Sequence, residues 1–417
     1  MMLKNVAGIR SGWPRLRAQL LCAAVCMVVP AFAWASGAQT IPQSVAELGA
    51  DSAPRVLESI EVAPADRLFV MDSNFHHLTD SRVNVFNKRT GKFVGFVPTS
   101  FNGQMIVSRD GTKIYDVTTY FSRVPRGDRT DVLEIYNIDN LTFEKEIAIP
   151  PKRATSLNYD GILRMTGDGH FLLMQNANPG ISITVVDLEQ QKFVNEITAT
   201  AGCWGIIPLP ATPRSFAVIC GEGSLLALTL GDDGKVTEQK RSAPMFSVKD
   251  DPIFISPGVT KDGLTFVSFN GNVYGAELNR KDMSFTFAAP WSLLQTPKDK
   301  AEGWVPGGYN LMDVDANSNR LYVFMHPQGQ EGSHKHPAKE LWVYDLTTKQ
   351  RVARIPGLDA LSMSILHGVK PELATIDGGN VHIYDISAPT PKLVRTIENA
   401  ANASLQVMGG VPGRTNR

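Results

Sequence analysis

The sequence predicts an all-β fold, a seven-bladed β-propeller closed by its C-terminal strand. Three observations carry that prediction: a repeated hairpin, a pair of strand candidates before nearly every copy, and a mismatch between the two ends of the repeat. The hairpin is an apolar-alternating strand, a polar turn and a second strand often carrying Lys and Val. Its copies are "VNVFNKRTGKFVGFV" (83), "LEIYNIDNLTFEKEIAI" (133), "ITVVDLEQQKFVNEITA" (183), "LLALTLGDDGKVTEQK" (225), "VYGAELNRKDMSFTFAAP" (273), "LWVYDLTTKQRVARIPG" (341) and "VHIYDISAPTPKLVRTI" (381). The fourth and fifth are degenerate. Starts advance by 50, 50, 42, 48, 68 and 40 residues, which is blade spacing. Period-two alternation with turn residues between runs argues for strands, and no long helical period competes.

Two more strand candidates precede each hairpin after the first. "QMIVSRDGTKIYDVTTY" (104–120) shows the pair best, with Asp110-Gly111 in its turn. Each period then holds four strands, the content of one blade. Before the first hairpin only "RLFVMDS" (67–73) is present, and after the last one "SLQVM" (404–408) is left over. Joining the surplus strand to the deficient blade closes the ring and leaves no open edge to invite association. A solenoid, the alternative fold, needs no such mismatch.

The expected organisation is a signal peptide at 1–35, an N-terminal extension at 36–66, the propeller at 67–408 and a tail at 409–417. Lys4, Arg10, Arg15 and Arg17 precede an apolar run from Leu20 to Phe32 and the small-residue pattern Ala33-Trp34-Ala35. That is a secretory leader cleaved after Ala35. The run is shorter than the roughly 20 residues of a spanning helix, and Pro30 interrupts it. No later stretch is long and apolar enough to span, so no membrane partner is expected. Losing the leader's four basic residues leaves 37 basic against 41 acidic side chains. This mildly acidic balance, without clustered Lys and Arg, argues against a nucleic-acid partner.

Cys22 and Cys26 leave with the leader, and Cys203 and Cys220 remain as an even pair in an oxidising compartment. The prediction is a disulfide closing a loop of about 18 residues, worth roughly 3 kcal/mol in the chain-entropy account. The long step between the fifth and sixth hairpins contains "TPKDKAEGWVPGG" (296–308) and "HPQGQEGSHKHPAKE" (326–340), which read as surface loops. "NFHHLTDS" (74–81) and "SRVPRGDRTD" (122–131) read as loops interrupting blades 1 and 2.

Catalytic constellations are missing from the sequence: it has no His-Glu-x-x-His helix and no Gly-x-Ser-x-Gly elbow. His334 and His336 stand two apart and on a strand would share a face, but no third metal ligand lies at a supporting spacing. "DVDANSN" (313–319) alternates oxygen side chains as a calcium loop does, yet its twelfth position is Phe324, so an ordinary turn is the better reading. The Asp-Gly pairs at 110, 168 and 262 read as hairpin turns. Of Trp204, Trp291, Trp304 and Trp342, the last lies in a hairpin strand and reads as core. Trp304, in an inserted segment, reads as core first and as a partner contact second.

Several long, loop-rich stretches carry a family resemblance. "MDSNFHHLTDSRVNVF", "GFVPTSFNGQMIVSRDGTKIY", "RGDRTDVLEIYNIDNLTFEKEIAIPPKR", "FSVKDDPIFISP", "WVPGGYNLM", "YVFMHPQGQEGSHKHPAKELWVYDLTTKQRVARIPG" and "ALSMS" resemble the heavy (α) subunits of the aromatic (aralkylamine) amine dehydrogenase family, which stands with methylamine dehydrogenase in the tryptophan tryptophylquinone class. The likeness runs from about Arg67 to about Val407. It implies a seven-bladed propeller, with no cofactor and no catalytic residue of its own, in a periplasmic α2β2 complex. In that complex the small light (β) subunit carries the quinone, built from two of its own tryptophans, and an aspartate base. It oxidises a primary amine to aldehyde and ammonia, and electrons pass to a cupredoxin such as azurin. The resemblance also implies that Phe101, in "VPTSFNGQMIV", lines the substrate channel; ordinary blade packing is the competing reading of that residue. Other readings left open are the methylamine dehydrogenase heavy subunit, a stand-alone periplasmic binding propeller, and a propeller enzyme with pyrroloquinoline quinone. Members of that last class resemble eight-bladed rings with a tryptophan motif in each blade.

Overall fold

The computed structural model describes residues 60–155, 159–209, 212–366 and 370–409. The expected leader, its cleavage site and all but the last residues of the 36–66 extension lie outside the described residues, as do residues 410–417.

Seven antiparallel sheets form the ring, each built from four strands that follow one another in sequence except in blade 1, with extra two-residue strands in blades 5 and 6. Blade 2 is typical: Gln104–Val107 is innermost, followed by Lys113–Arg123, Arg126–Asn137 and Phe143–Ile149. Inner strands of successive blades lie side by side, as Met312–Asp315 does between Gly258–Val259 and Ser362–Leu366. Blade 1 takes its innermost strand from the far end of the chain. Gln406–Gly409 pairs with Arg67–Asp72, Phe69 opposite Met408 and Val70 opposite Val407. The Asp72 carboxylate fixes this closure by accepting from the backbone N–H of Asn402 (3.0 Å) and Ala403 (3.1 Å). The closing strand ends at Gly409, one residue past the edge read from the sequence.

The second and third strands of a blade are buried on both faces. Phe171–Asn176, Ser182–Asp187 and Ser215–Cys220 are buried at every position. They therefore read as near-continuous apolar runs, whereas the outermost strands keep a wet face, as Phe143–Ile149 does. The core is a series of layers between blades. Val83, Val97, Met105 and Ile114 fill the seam of blades 1 and 2, and Val117, Leu133, Leu163 and Met174 that of blades 2 and 3. Each fully buried Leu, Val, Phe or Met contributes about 1.5–3 kcal/mol.

Two segments expected as loops are ordered differently. Residues 122–131 are a β-ribbon, because Lys113–Arg123 and Arg126–Asn137 keep pairing beyond the blade: Tyr120 faces Thr130 and Phe121 faces Arg129. The β-branched and aromatic run Thr118-Thr119-Tyr120-Phe121 favours that extension. Within 296–308, Pro297–Ala301 is a short helix whose capping box is made by Thr296 and Asp299. Trp304 behind it is buried rather than on the surface. Its ring centroid lies 5.2 Å from that of Trp342, with the Arg354 guanidinium 5.0 Å above Trp304 and that of Arg351 4.4 Å above Trp342. Asp299, itself buried, accepts from Arg351 at 2.9 Å. The polar residues that suggested a loop are the ion-pair partners that hold it down. Ser333–Lys335 is a 3-10 turn, so His334 and His336 share no strand face.

Candidate functional site

The antiparallel order of each blade sorts its connections onto two faces. Links from first to second and from third to fourth strands open on one face and are short, ranging from 260–262 to 386–391. Links from second to third strands, and from blade to blade, open on the other. That face carries the long segments: 73–80, 242–257, 327–337, the ribbon tip at 124–125 and the helix-bearing stretch 288–311.

The axis on the long-segment face is closed by side chains. Tyr159, entering blade 3, and Tyr309, entering blade 6, bring their rings to 6.0 Å across the centre. Beside them the buried Asn310 amide oxygen accepts from Asp160 N–H (3.2 Å) and Ser256 Oγ (3.3 Å), and its Nδ2 donates to the Leu405 carbonyl (3.0 Å). One side chain thus ties together connections that enter four different blades.

Phe101 lies on this same face, in the link from blade 1 to blade 2. Ser100 and Asn102 on either side have φ of 44° and 46°, so the backbone turns sharply and turns back. Gly103 follows because a Cβ there would sit 2.3 Å from the Thr99 Cβ and 2.8 Å from Asp116 Oδ1. The Phe101 ring stands edge-on to Phe121 of the ribbon, centroids 5.4 Å apart at 86°. Exposed apolar side chains stand on the segments around this pair: Phe75 (43 %), Tyr120 (40 %) and Val124 (71 %). The structure therefore brings Phe101 into a half-buried aromatic wall at the rim and not into the interior of a blade.

Behind the wall lies Arg153, 1 % exposed, from the blade 2–3 link. Its Nη2 donates to the Phe101 carbonyl (2.5 Å), Nη1 to that of Asn102 (3.1 Å), and Nε to Thr119 Oγ1 (2.8 Å). Burial pushes this guanidinium down to about 10 against the pull of Asp131, so it remains a cation at neutral pH. On the opposite side of the same strand Asp116 is wholly buried, and neither of its oxygens has a hydrogen-bond partner. Burial first, and then the neighbouring Glu134, hold its carboxyl well above the usual range; Arg153 opposes them. Glu134 accepts from Tyr120 (2.6 Å) and Tyr136 (2.9 Å) and is itself raised by burial.

The remaining sequence candidates fall elsewhere. His334 stacks on Phe269 at 4.5 Å beside a cavity of about 580 Å³ lined by Lys249, Asn270, Val305 and Gln330. His336 lies 5.7 Å from His326, and burial holds His326 and His334 below the ordinary imidazole range. Among the described residues no group of three or more His, Cys, Asp or Glu stands together at metal-holding distance. In 313–319, Asp315 spends its oxygens on Asn317 N–H and Ser318 within the turn, and Asp313 accepts from Ile365 N–H. Gly111 and Gly169 occupy left-handed turn positions as read, but Gly263 opens a strand, where a Cβ would meet the Ala276 carbonyl. Cys203 and Cys220 are joined in a disulfide between directly opposed positions of adjacent strands in blade 4.

Residues 64–408, nearly the whole described ring, match the family of methylamine dehydrogenase heavy chains. The chain belongs to that family. It is 26 % identical over 397 residues to the methylamine dehydrogenase heavy chain of Methylobacillus flagellatus, covering 93 % of this chain and 95 % of that one. It is 27 % identical over 403 residues to that of Methylorubrum extorquens, covering 95 % of each. Among solved structures, the periplasmic gluconolactonase of Pseudomonas aeruginosa superposes with a TM-score of 0.56 at 12 % identity. That match covers 83 % of this chain and 99 % of the other, and shows the shared fold alone.

Reading the sequence did not single out Arg153, Asn310 or Asp116. Arg153 follows Lys152, and nothing in "PPKRATS" separates the buried cation from its half-exposed neighbour, which pairs with Glu196. Asp116 did leave a signal: it interrupts the apolar alternation of "KIYDVTT" at a position that shares a face with Ile114 and Thr118.

Proposed function

We propose that this chain is the heavy subunit of a periplasmic aralkylamine dehydrogenase. In this reading it docks a small quinone-bearing light subunit in an α2β2 assembly and contributes no reacting group. A tryptophan tryptophylquinone held by the light subunit would supply the two-electron oxidation of a primary arylalkylamine to an aldehyde, with water as the source of the oxygen and ammonia as the second product. An azurin-like cupredoxin accepts the electrons. Membership in the heavy-chain family over 64–408 is the observation that carries the reading.

The long-segment face is the docking side in this reading, and Phe101 with Phe121 forms part of the wall of the substrate channel. An edge-to-face aromatic pair presents apolar surface that suits an arylalkyl side chain and helps exclude water from the quinone. No residue of this chain is asked to hold the quinone. The neighbouring indoles Trp304 and Trp342 are buried and engaged by Glu302, Glu340, Arg351 and Arg354. Among the described residues no helix is long and apolar enough to cross a membrane.

A second reading has methylamine as substrate, favoured by the names of the curated relatives. Co-expression with a small quinone-bearing light chain of the methylamine dehydrogenase type tests both. The expected result is a co-purifying complex with visible quinone absorbance that turns over 2-phenylethylamine in preference to methylamine. The reverse preference selects the second reading, and amine-dependent dye reduction by the isolated heavy chain overturns both.

A further inference from the structure

The Phe101 turn is an unusual piece of backbone to find at a rim. Two non-glycine reversals, at Ser100 and Asn102, enclose a single aromatic residue, and left-handed φ at such positions is disfavoured by roughly 1–2 kcal/mol each. Something must hold it. Phe101 N–H reaches the Thr119 carbonyl only at 3.4 Å, while Asn102 N–H donates to the Leu78 carbonyl at 3.0 Å. Asn102 is also held by its Nδ2 on the Thr155 carbonyl and its N–H on Ser81 Oγ (3.2 Å), but the donors that reach the Phe101 carbonyl are charged and belong to Arg153. Its planar fork meets the carbonyls of both Phe101 and Asn102, and no residue with a single-point charge could span them.

Arg153 is in turn fixed from behind. Thr119 Oγ1 accepts from Nε and donates to Asp131 (2.8 Å), and Asp131 also receives the Arg153 backbone N–H (3.3 Å) and a two-point contact from Arg129 (2.8 and 2.7 Å). Thr119, Arg129 and Asp131 all belong to the two strands whose ribbon carries Phe121. The guanidinium therefore connects the backbone of one ring of the aromatic pair to the strands bearing the other. From this geometry we infer that Arg153 is a positioning residue, which sets the orientation of Phe101 against Phe121 and thereby the selectivity of the complex for bulky over small amines. The inference rests on the reading of Phe101 as channel wall, but its first half concerns this chain alone.

Two measurements separate the halves. In the isolated chain carrying 4-fluorophenylalanine at position 101, the 19F resonance is expected to be single and narrow, and to broaden or split in Arg153→Gln. An unchanged resonance overturns the positioning role whatever Phe101 does. In the assembled two-subunit enzyme, the ratio of kcat/KM for 2-phenylethylamine to that for methylamine is compared across wild type, Phe101→Ala, Arg153→Gln and the double variant. Each single change is expected to lower the ratio by about tenfold, the double change no further, while losses of Tm add. If Phe101→Ala lowers the ratio and Arg153→Gln does not, the positioning role fails and the channel reading stands. If Phe101→Ala leaves the ratio unchanged, the channel reading and the selectivity half of the inference fail together. Should Arg153→Gln not assemble, Thr119→Val carries the same test: it removes one acceptor and keeps the charge, and a smaller shift in the same direction is expected. An unshifted ratio there also overturns the role.

Discussion

The two faces of the ring are made from the same seven sheets and solve different problems. On the short-turn face many connections are bonded within their own turn, and single side chains such as Arg109 and Arg214 reach the adjacent blade. Asp110 takes Ser108 and Thr112, Asp233 takes Lys235, and Asp345 takes Thr348, each within one turn. On the long-segment face bonds run between blades: Asn310 to the link before the closing strand and Arg153 to the link that enters blade 2. A self-contained turn can change without disturbing its neighbours. A rim bonded across blades holds its shape as a unit.

If that contrast is real, stability should be concentrated on the long-segment side. The largest effect is expected at the disulfide, which joins the ends of the two inner strands of blade 4 where they emerge on that face. Replacing both cysteines by serine should lower the unfolding free energy by roughly 3 kcal/mol, as expected for a closed loop of this length. Urea unfolding of the two proteins measures it. A loss below about 1 kcal/mol would say that the rim is already rigid without the covalent tie.

Asn310→Ala comes next and compares the faces directly. It strands the buried Leu405 carbonyl and removes the acceptor of the part-buried Asp160 N–H, at about 1–3 kcal/mol. Its counterpart on the other face is Asp233→Ala, which removes an exposed turn carboxylate and should leave stability nearly unchanged. Equal losses by urea titration would erase the distinction between the faces.

The contrast also marks how far the sequence could be read. Blade count, strand order and closure were legible because they follow from local alternation and spacing, and because one strand was missing at one end and surplus at the other. The disulfide followed from there being two cysteines left to pair. Blade 6 was misread at 296–308 because Asp299, Glu302 and Glu340 look like solvated charge until the arginines and tryptophans they meet are brought beside them. The ribbon at 122–131 was misread because Pro and Gly in its tip obscured pairing that depends on residues on both sides. Phe101 came from resemblance, and Arg153 and Asn310 act through contacts 51 and 95 residues away in sequence, for which a single chain of letters carries no signal.

The smallest expected effect is a slope. Asp116 lies within the blade 1–2 seam just under the Phe101 turn, and its carboxyl is held well above the usual range, chiefly by burial and then by Glu134. The folded protein therefore keeps a proton that the unfolded chain releases near its ordinary value of 3.8. The sign follows from linkage: stability from this group is fully present below that value and declines as pH rises from there through the folded pKa. Carboxylates with depressed values, such as Asp299 and Glu196, work in the opposite sense and gain as pH rises. Asp116→Asn removes only the first contribution, so the variant should gain stability relative to wild type as pH is raised from 4 to 8. Thermal unfolding across that range, taken as the difference between the two proteins, gives the slope. A flat difference would mean that Asp116 is ionised in the fold, with Arg153 as its counter-charge. In that case the cation would be shared between the seam and the Phe101 turn, and the two faces of this strand could not be altered independently.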